Sequence, residues 1–367
     1  MNNKKGILSY FSGMKDHRLD RRKKHDMLDI IVITIAAVLS GADDWYDIEE
    51  FAEIREDWLK TFLSLENGIP SHDTFNRFFA NMNPTAFEHC FQQWIDSIEG
   101  LGKSQLISID GKTIRGAKQG GKPSSIHLIS AWASEHEVVL GQLRVHEKSN
   151  EITAIPALLE AIFIENSLVS IDAIGCQTEI AKKIIDEKGD YLLAVKENQK
   201  GLHTDLLDSF RFLKTEEVIT DIDAGHGRIE KRKCSIVKDL SHITEVDKWK
   251  NLSTLIKIES ERFHKSTGKT ERQTRYYISS KEESADYFQQ NVRSHWGIEN
   301  KLHWMLDMVF HEDASRKRAG NAAQNFSMVT KIALKMLKMD TLSKRSIKTK
   351  RKRASWDGEY IKHLLKF

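Results

Sequence analysis

Cysteine is scarce in this chain. Cys90, Cys176 and Cys234 are far apart, and no Cys-x-x-Cys pair occurs. That spacing excludes a disulfide framework and a cysteine-rich zinc site, and it suits a reducing compartment. Long apolar runs are lacking too. The most apolar stretch, Ile30 to Leu39, is too short to span a bilayer. The start, Met1-Asn-Asn-Lys-Lys-Gly6, has no apolar secretory core. The expectation is a cytoplasmic protein with no membrane partner. A net charge of +3 is too small to argue for a polyanionic partner, so the distribution of charge matters more than its sum. No internal repeat is evident.

What is present fits a globular protein, with 40% hydrophobic and 30% charged residues. The length of 367 residues suits about two to three domains. Residues 1–100 read as an N-terminal helical domain. Asp26 to Ser40 reads as a buried helix ended by Gly41. Asp47 to Phe62 carries apolar residues at helical spacing. Ser71 is placed to cap a helix over 72–80, and Asn83-Pro84 opens another that buries Phe87, Phe91 and Trp94. These aromatics read as core. The basic run Lys15, Arg18, Arg21, Arg22, Lys23 and Lys24 reads either as a DNA-docking face or as solvated charge.

From Gln105 the period changes to that of strands. The expected order is β-β-β-α-β-α-β-α, with strands at 105–110, 126–132, 138–145, 168–172 and 191–195. Gly116, Gly120, Gly121 and Pro123 mark the first connection. A meander followed by crossover units gives an α/β fold, a mixed sheet flanked by helices. In that sheet the first and fourth strands can lie side by side. Strands at 228–237, 252–259 and 274–280 form a β-rich insertion at about 220–280. A helix resumes near Ser284, and another amphipathic helix follows Gly320. Residues 341–367 read as a basic tail. Its run Ser343 to Arg353 holds no acid, and it suits either phosphate or solvent.

Three acids stand out against this layout. Asp110 and Asp172 each follow an apolar strand, and Glu299 lies on the later helix. Two strand-borne Asp and a helix-borne Glu can converge on a pair of hard divalent cations. Such a pair stabilises both the attacking and the leaving oxygen in phosphoryl transfer. Lys112, Arg115 and Lys196 are candidate phosphate contacts, with plain surface charge as the alternative. His226 and Arg228 at the entry to the insertion are candidate DNA contacts, although a turn alone explains Gly225 and Gly227. His295, Glu299, His303 and Asp307 lie four apart, as on one helix face. That spacing invites zinc, but the His-Glu-x-x-His word is absent. Trp296, Asn300 and Trp304 form an adjacent stripe that reads as packing against the sheet.

Several long words then narrow the reading. They are Ser108-Ile-Asp-Gly-Lys-Thr-Ile-Arg115, Ile171-Asp-Ala-Ile-Gly-Cys-Gln177, Ala194-Val-Lys-Glu-Asn-Gln199, His226-Gly-Arg-Ile-Glu230 and Arg293-Ser-His-Trp-Gly-Ile-Glu-Asn-Lys-Leu-His-Trp304. Over nearly the whole chain the sequence resembles the H-repeat-associated family of bacterial insertion-sequence transposases, of the DDE type. The resemblance implies a ribonuclease-H-like DDE catalytic domain over 101–340, with the insertion before the glutamate. It implies Asp110, Asp172 and Glu299 as ligands of two Mg²⁺, with Mn²⁺ as a substitute. The implied activity is DNA cleavage and strand transfer at element ends, on double-stranded ends and target DNA, by a homodimer on DNA. The broader cut-and-paste group places a Tyr, an Arg and a Lys around its glutamate. Here those positions hold Val292, His295 and Leu306, so that set does not carry over. Arg293, His295, Asn300, Lys301 and His303 are the local candidates for phosphate instead. Two alternatives stay open: a nuclease on the same fold without joining, and a retired transposase that only binds DNA.

Overall fold

The structure is a computed structural model that describes residues 6–98, 105–116, 126–145, 150–225 and 227–366. His226, Gly120, Gly121 and Pro123 lie outside those residues, as does the expected boundary near 100.

The front of the chain is helical: α1 (Leu8–Phe11), α2 (Met27–Leu39), α3 (Trp45–Ile54), α4 (Glu56–Leu59), α5 (His72–Asn81) and α6 (Pro84–Asp96). Asp26 caps α2 by accepting the Leu28 and Asp29 N–H groups. Helix α2 is apolar nearly all round and is buried nearly all round, as a central core helix must be. The helix expected over 47–62 begins earlier, at Trp45, because Asp44 and Asp47 form a reciprocal capping box. It breaks at Arg55, whose backbone leaves the helical region. Asn83 caps α6 with Pro84 in the first turn. Ser71 precedes α5, but its hydroxyl meets Thr74 Oγ1 at 3.1 Å and makes no cap bond. Phe75, Phe78, Phe79, Phe87 and Phe91 are all buried core.

The sheet follows: β1 (Leu106–Ile114), β2 (Ile126–Ala133), β3 (Val138–Val145), α7 (Glu151–Ala161), β4 (Leu168–Ile171), α8 (Thr178–Asp186), β5 (Asp190–Val195) and α9 (Lys200–Phe212). The chain continues with β6 (Glu217–Gly225), β7 (Arg228–Val237), β8 (Thr254–His264), β9 (Thr270–Ser279), α10 (Ala285–His295), α11 (Trp304–Phe310), α12 (Ala322–Met339), α13 (Ile347–Trp356) and α14 (Gly358–Leu365). All nine strands form one sheet, in the order β3-β2-β1-β4-β5-β9-β8-β7-β6. The first and fourth strands are parallel neighbours, as expected. Strands β1 to β5 form a mixed sheet flanked by helices, as expected. The β-rich insertion does not stand apart. Strand β9 pairs antiparallel with β5, so the insertion extends the same sheet. It has four strands rather than three, because β6 was hidden by its polar, largely exposed sequence.

Helix α12 is buried along almost its whole length, including Lys331 and Lys335. It packs on α2 and α5 on one side and on β2 and β3 on the other. The expected basic tail is folded over this assembly as α13 and α14. Its cations divide: Lys344, Arg345, Lys348 and Lys352 are exposed, while Lys350 and Arg351 are buried. Lys350 Nζ donates to the Leu337 and Asp340 carbonyls, each at 2.9 Å. Arg351 Nε donates to the Val38 carbonyl at 3.0 Å, Nη1 to the Val309 carbonyl, and Nη2 meets Asp43 at 3.2 Å. Arg351 thus satisfies the Val309 carbonyl near the end of α11 and adds a second donor to the Val38 carbonyl of α2, which also accepts the Gly41 N–H at 3.3 Å. Buried acceptors left unpaired cost about 1–3 kcal/mol each. Arg351→Ala is therefore expected to lower unfolding free energy by roughly 2–4 kcal/mol. Lys352→Ala, one residue on and exposed, is expected to stay within about 0.5 kcal/mol of wild type. Denaturant titration compares the two, and equal effects would refute the buried-staple account.

Candidate active site

Strands β1 and β4 run side by side with Ile109 opposite Ile171, so the residues that follow, Asp110 and Asp172, are level. Asp110 does not end its strand, since β1 continues to Ile114. The sequence suggested a turn there because Gly111 and Lys112 follow. In fact β2 pairs with β1 through this stretch, with Asp110 opposite Ser130. Asp110 Oδ1 accepts the Gly111 N–H at 2.9 Å. Asp172 leaves β4 and caps a short turn over Ala173–Gly175, accepting the Ile174 N–H at 3.1 Å.

These carboxylates sense one another. Burial pushes the Asp110 carboxyl up to about 7, and the charges of Asp172, Glu299 and Glu151 add to the rise. Asp172 is also raised, by burial and then by Glu151, against the pull of the Ile174 and Gly175 N–H groups and of Lys196. Glu151, the first residue of α7, was not a candidate from the sequence, because an acid at a helix start reads as a cap. Its Oε1 meets His127 Nε2 at 2.6 Å, and His127 Nδ1 meets Thr113 Oγ1 at 2.8 Å. Gly111 leaves room for this pair. A Cβ there would sit 2.6 Å from His127 Nε2 and closer still to Glu151 Oε1.

Glu299 lies in a π-helical segment, Ile298–His303, between α10 and α11. Its wider turn breaks the spacing of four expected for one helix face. The four residues in question accordingly do different things. His295 Nδ1 lies 2.8 Å from the Ser170 hydroxyl. Glu299 is exposed and lines a cleft. His303 Nδ1 lies 3.5 Å from Asp110 Oδ2, and its buried Nε2 has no partner among the described residues. Asp307 pairs with Lys112. Burial holds both imidazoles neutral, His295 at about 4 with Arg275 assisting and His303 at about 3 with Lys112 and Lys331 assisting. Trp304 does not pack on the sheet as expected but is 55% exposed.

The candidate phosphate contacts separate in the same way. Lys112 is committed to Asp307 and, at 2.8 Å, to Glu312, so its charge is already neutralised. Arg115 is exposed, 3.9 Å from Asp313. Lys196 stands beside Asp172 on the wall of a cleft of about 740 Å³. Arg228 lines a second cleft of about 740 Å³, together with Glu299. Arg293 is tied to Asp223 at 2.9 Å, Lys301 to Glu137 at 2.6 Å, and Asn300 to the Trp296 carbonyl at 3.0 Å. Arg275, between the two clefts, carried no sequence signal, because it is one of several charges on a polar strand.

The donor chemistry fits a divalent cation: hard carboxylate oxygens whose charges raise one another's pKa. The spacing is open, since among the described residues no three His, Cys, Asp or Glu side chains come close enough together to hold an ion.

Residues 8–95 match the family described as DDE_Tnp_1-associated, and residues 101–336 match the family described as Transposase DDE domain. The chain is 41% identical over 367 residues to "Putative transposase YncI" of Escherichia coli O157:H7, across 98% of this chain and 94% of that one. It is 38% identical over 371 residues to "H repeat-associated putative transposase YhhI" of Escherichia coli strain K12, across 98% of both. The backbone also overlays on the piggyBac transposase synaptic complex with hairpin DNA, at a TM-score of 0.47 and 11% identity, over 98% of this chain and 76% of that one. That overlay is too loose to bear weight. The two family matches and the near full-length relatives place the chain in the DDE transposase family, among its H repeat-associated members.

Proposed function

We propose that the chain binds the ends of its insertion element and catalyses Mg²⁺-dependent cleavage and strand transfer. One observation carries this reading. Burial, with the charges of Asp172, Glu299 and Glu151, drives the Asp110 carboxyl to about 7. Crowded, buried carboxylates of this kind are costly unless a cation shares them. Asp110, Asp172 and Glu299 are the proposed ligands of two Mg²⁺, which Mn²⁺ can replace. When bound, such ions activate a water or a DNA 3′-hydroxyl and stabilise the leaving 3′-oxygen. The chain's own residues do the rest. The Ile174 N–H orients Asp172, and His303 flanks Asp110 as a neutral group that adds no charge. Lys196, which stands beside Asp172, and Arg228, which has no acidic partner among the described residues, face the phosphates of the element ends and of the target DNA. The working form is a homodimer on DNA, in the cytoplasm at the nucleoid.

The test is a cleavage and joining assay with duplexes carrying the ends that flank the gene, in Mg²⁺. Asp172→Asn is expected to abolish nicking and joining while leaving duplex binding within a few-fold of wild type. Nicking without joining would point to a nuclease. Binding without either reaction in wild type would mark a retired transposase and sink the catalytic reading.

A second expectation comes from the sign of the Asp110 shift. Its folded pKa lies above the ordinary carboxylate value, so ionising it costs the metal-free fold stability. That loss grows as pH rises from about 4 and is complete above about 7. Asp110→Asn removes the cost. The metal-free variant is expected to melt a few degrees above wild type at pH 8, on a scale of about 2–4 °C per kcal/mol, with a smaller gain at pH 5. Adding Mg²⁺ at pH 8 is expected to raise the wild-type melting temperature and not that of the variant. Thermal melts at both pH values decide the matter. A gain independent of pH would count against a raised Asp110, and equal Mg²⁺ effects would count against its role as a ligand.

A further inference from the structure

The cations around the two clefts are mostly spoken for. In the cleft beside Glu299, Arg232 and Arg262 share Glu230 at 2.6 and 3.2 Å. Arg293 is held by Asp223 and Lys301 by Glu137. Arg228 and Arg275 differ, since among the described residues neither has an acidic partner. The contacts of Arg275 are with neutral groups. Its Nη2 donates to Gln273 Oε1 at 2.9 Å, and its guanidinium lies 4.5 Å from the centroid of the Trp296 ring.

Its position is as telling as its company. Arg275 and Gln273 line both clefts, the one that holds Asp172 and Lys196 and the one that holds Glu299. Strand β9 pairs with β5 up to Val195 opposite Tyr276, so the next step of the register sets Arg275 level with Lys196. Arg275 therefore stands where β9 parts from the carboxyl end of β5, in the crevice where open α/β sheets take their ligands. Trp296 ends α10, three residues before Glu299. Stacking on that indole fixes the plane of the guanidinium, which leaves its N–H fork to meet a planar or tetrahedral oxyanion. A half-buried guanidinium without a carboxylate, flanked by Asp172 on one side and Glu299 on the other, calls for an anion that the chain does not supply.

We infer that Arg275, braced on Trp296, grips a DNA phosphate at the junction of the two clefts and makes them one channel, along which a strand runs from Asp172 to Glu299. The inference rests on the proposed DNA-cleaving function and names the group that positions the strand within it. Arg275 contacts the phosphodiester directly. It moves no proton and forms no bond.

The experiment measures duplex affinity against salt concentration and single-turnover nicking for four full-length proteins: wild type, Arg275→Gln, Arg275→Lys and Arg272→Gln. The probe is a labelled duplex carrying the flanking ends, in Mg²⁺ for nicking and without it for binding. Losing one phosphate contact makes the slope of log affinity against log salt shallower by about one. Arg275→Gln is expected to show that change and to nick about 100-fold more slowly. Arg275→Lys keeps the charge but not the stacked fork, so it is expected to keep the slope and still lose rate. Arg272, on the same strand but exposed and paired with Glu261 at 2.7 Å, is expected to change neither. Wild-type slope and rate in Arg275→Gln overturn the inference while the proposed function stands. The same slope change in Arg272→Gln overturns it as well, because any surface charge would then suffice. If Arg275→Gln melts well below wild type, Arg275→Lys decides, and an unaltered nicking rate rejects the clamp. A wild-type chain that neither binds nor nicks the duplex rejects the proposed function and this inference with it.

Discussion

The parallel pairing of β1 with β4 is the constraint on which the rest of the site depends. Four register pairs, from Leu106 with Leu168 to Ile109 with Ile171, are buried in both strands, so this pairing sits wholly within the core. That pairing puts two carboxylates on one level at the edge where β4 ends. It also fixes the cost. Asp110 is drawn into partial burial by continuing in β1 rather than turning away, and its carboxyl resists ionisation as a result. Glu299 arrives by another route, on a π-helical turn that resets the phase of the helix just before α11. Close by, the burial of Glu312 is offset by its ion pair with Lys112 at 2.8 Å.

The insertion gains its meaning from the same sheet. Because β9 adds to β5, the β-rich segment is a continuation of the sheet that carries Asp110, and one cleft is lined by both β9 and the residues that follow β4 and β5, Asp172 and Lys196. A free-standing module could not place a side chain to within hydrogen-bonding tolerance of a distant acid. An extended sheet can.

Much of this was legible in the sequence, for identifiable reasons. Strands β4 and β5 are short apolar runs because parallel strands are covered on both faces, and that pattern survives without context. Asp26 and Asn83 announce helix starts because caps are local, whereas Asp44 was missed and its helix was expected from Asp47. The acids Asp110, Asp172 and Glu299 were read as a set from their places on strands and helix and from long matching words. What escaped was non-local or off-period. Strand β6 puts Val218 and Ile222 on its exposed face and Asp221 beside Ile219 on the half-buried one, so its pattern does not separate an apolar face from a polar one. The π-helical turn has no composition of its own, so His295, Glu299, His303 and Asp307 looked like one face. Lys350 and Arg351 cannot be told from Lys352 by residue type, because what buries them is a set of carbonyls on helices elsewhere in the chain. Arg275 and Glu151 matter only through neighbours supplied by other strands.

The bond from Arg351 to the Val38 carbonyl spans 313 positions of chain. Helix α2 is made early and finds its last partner only after nearly everything else has left the ribosome. At roughly 5–20 residues per second, the interval is about 15–60 s. Throughout that time an almost wholly apolar helix must be sheltered by partial packing or by chaperones. The closing of the N-terminal core is therefore a report that α13 has been made. A message cut short upstream of α12 yields a chain that holds the acids Asp110, Asp172 and Glu299 but has no completed scaffold to hold them still. For a member of a transposase family, late closure ties the completed fold to a late-made helix, a constraint written into topology.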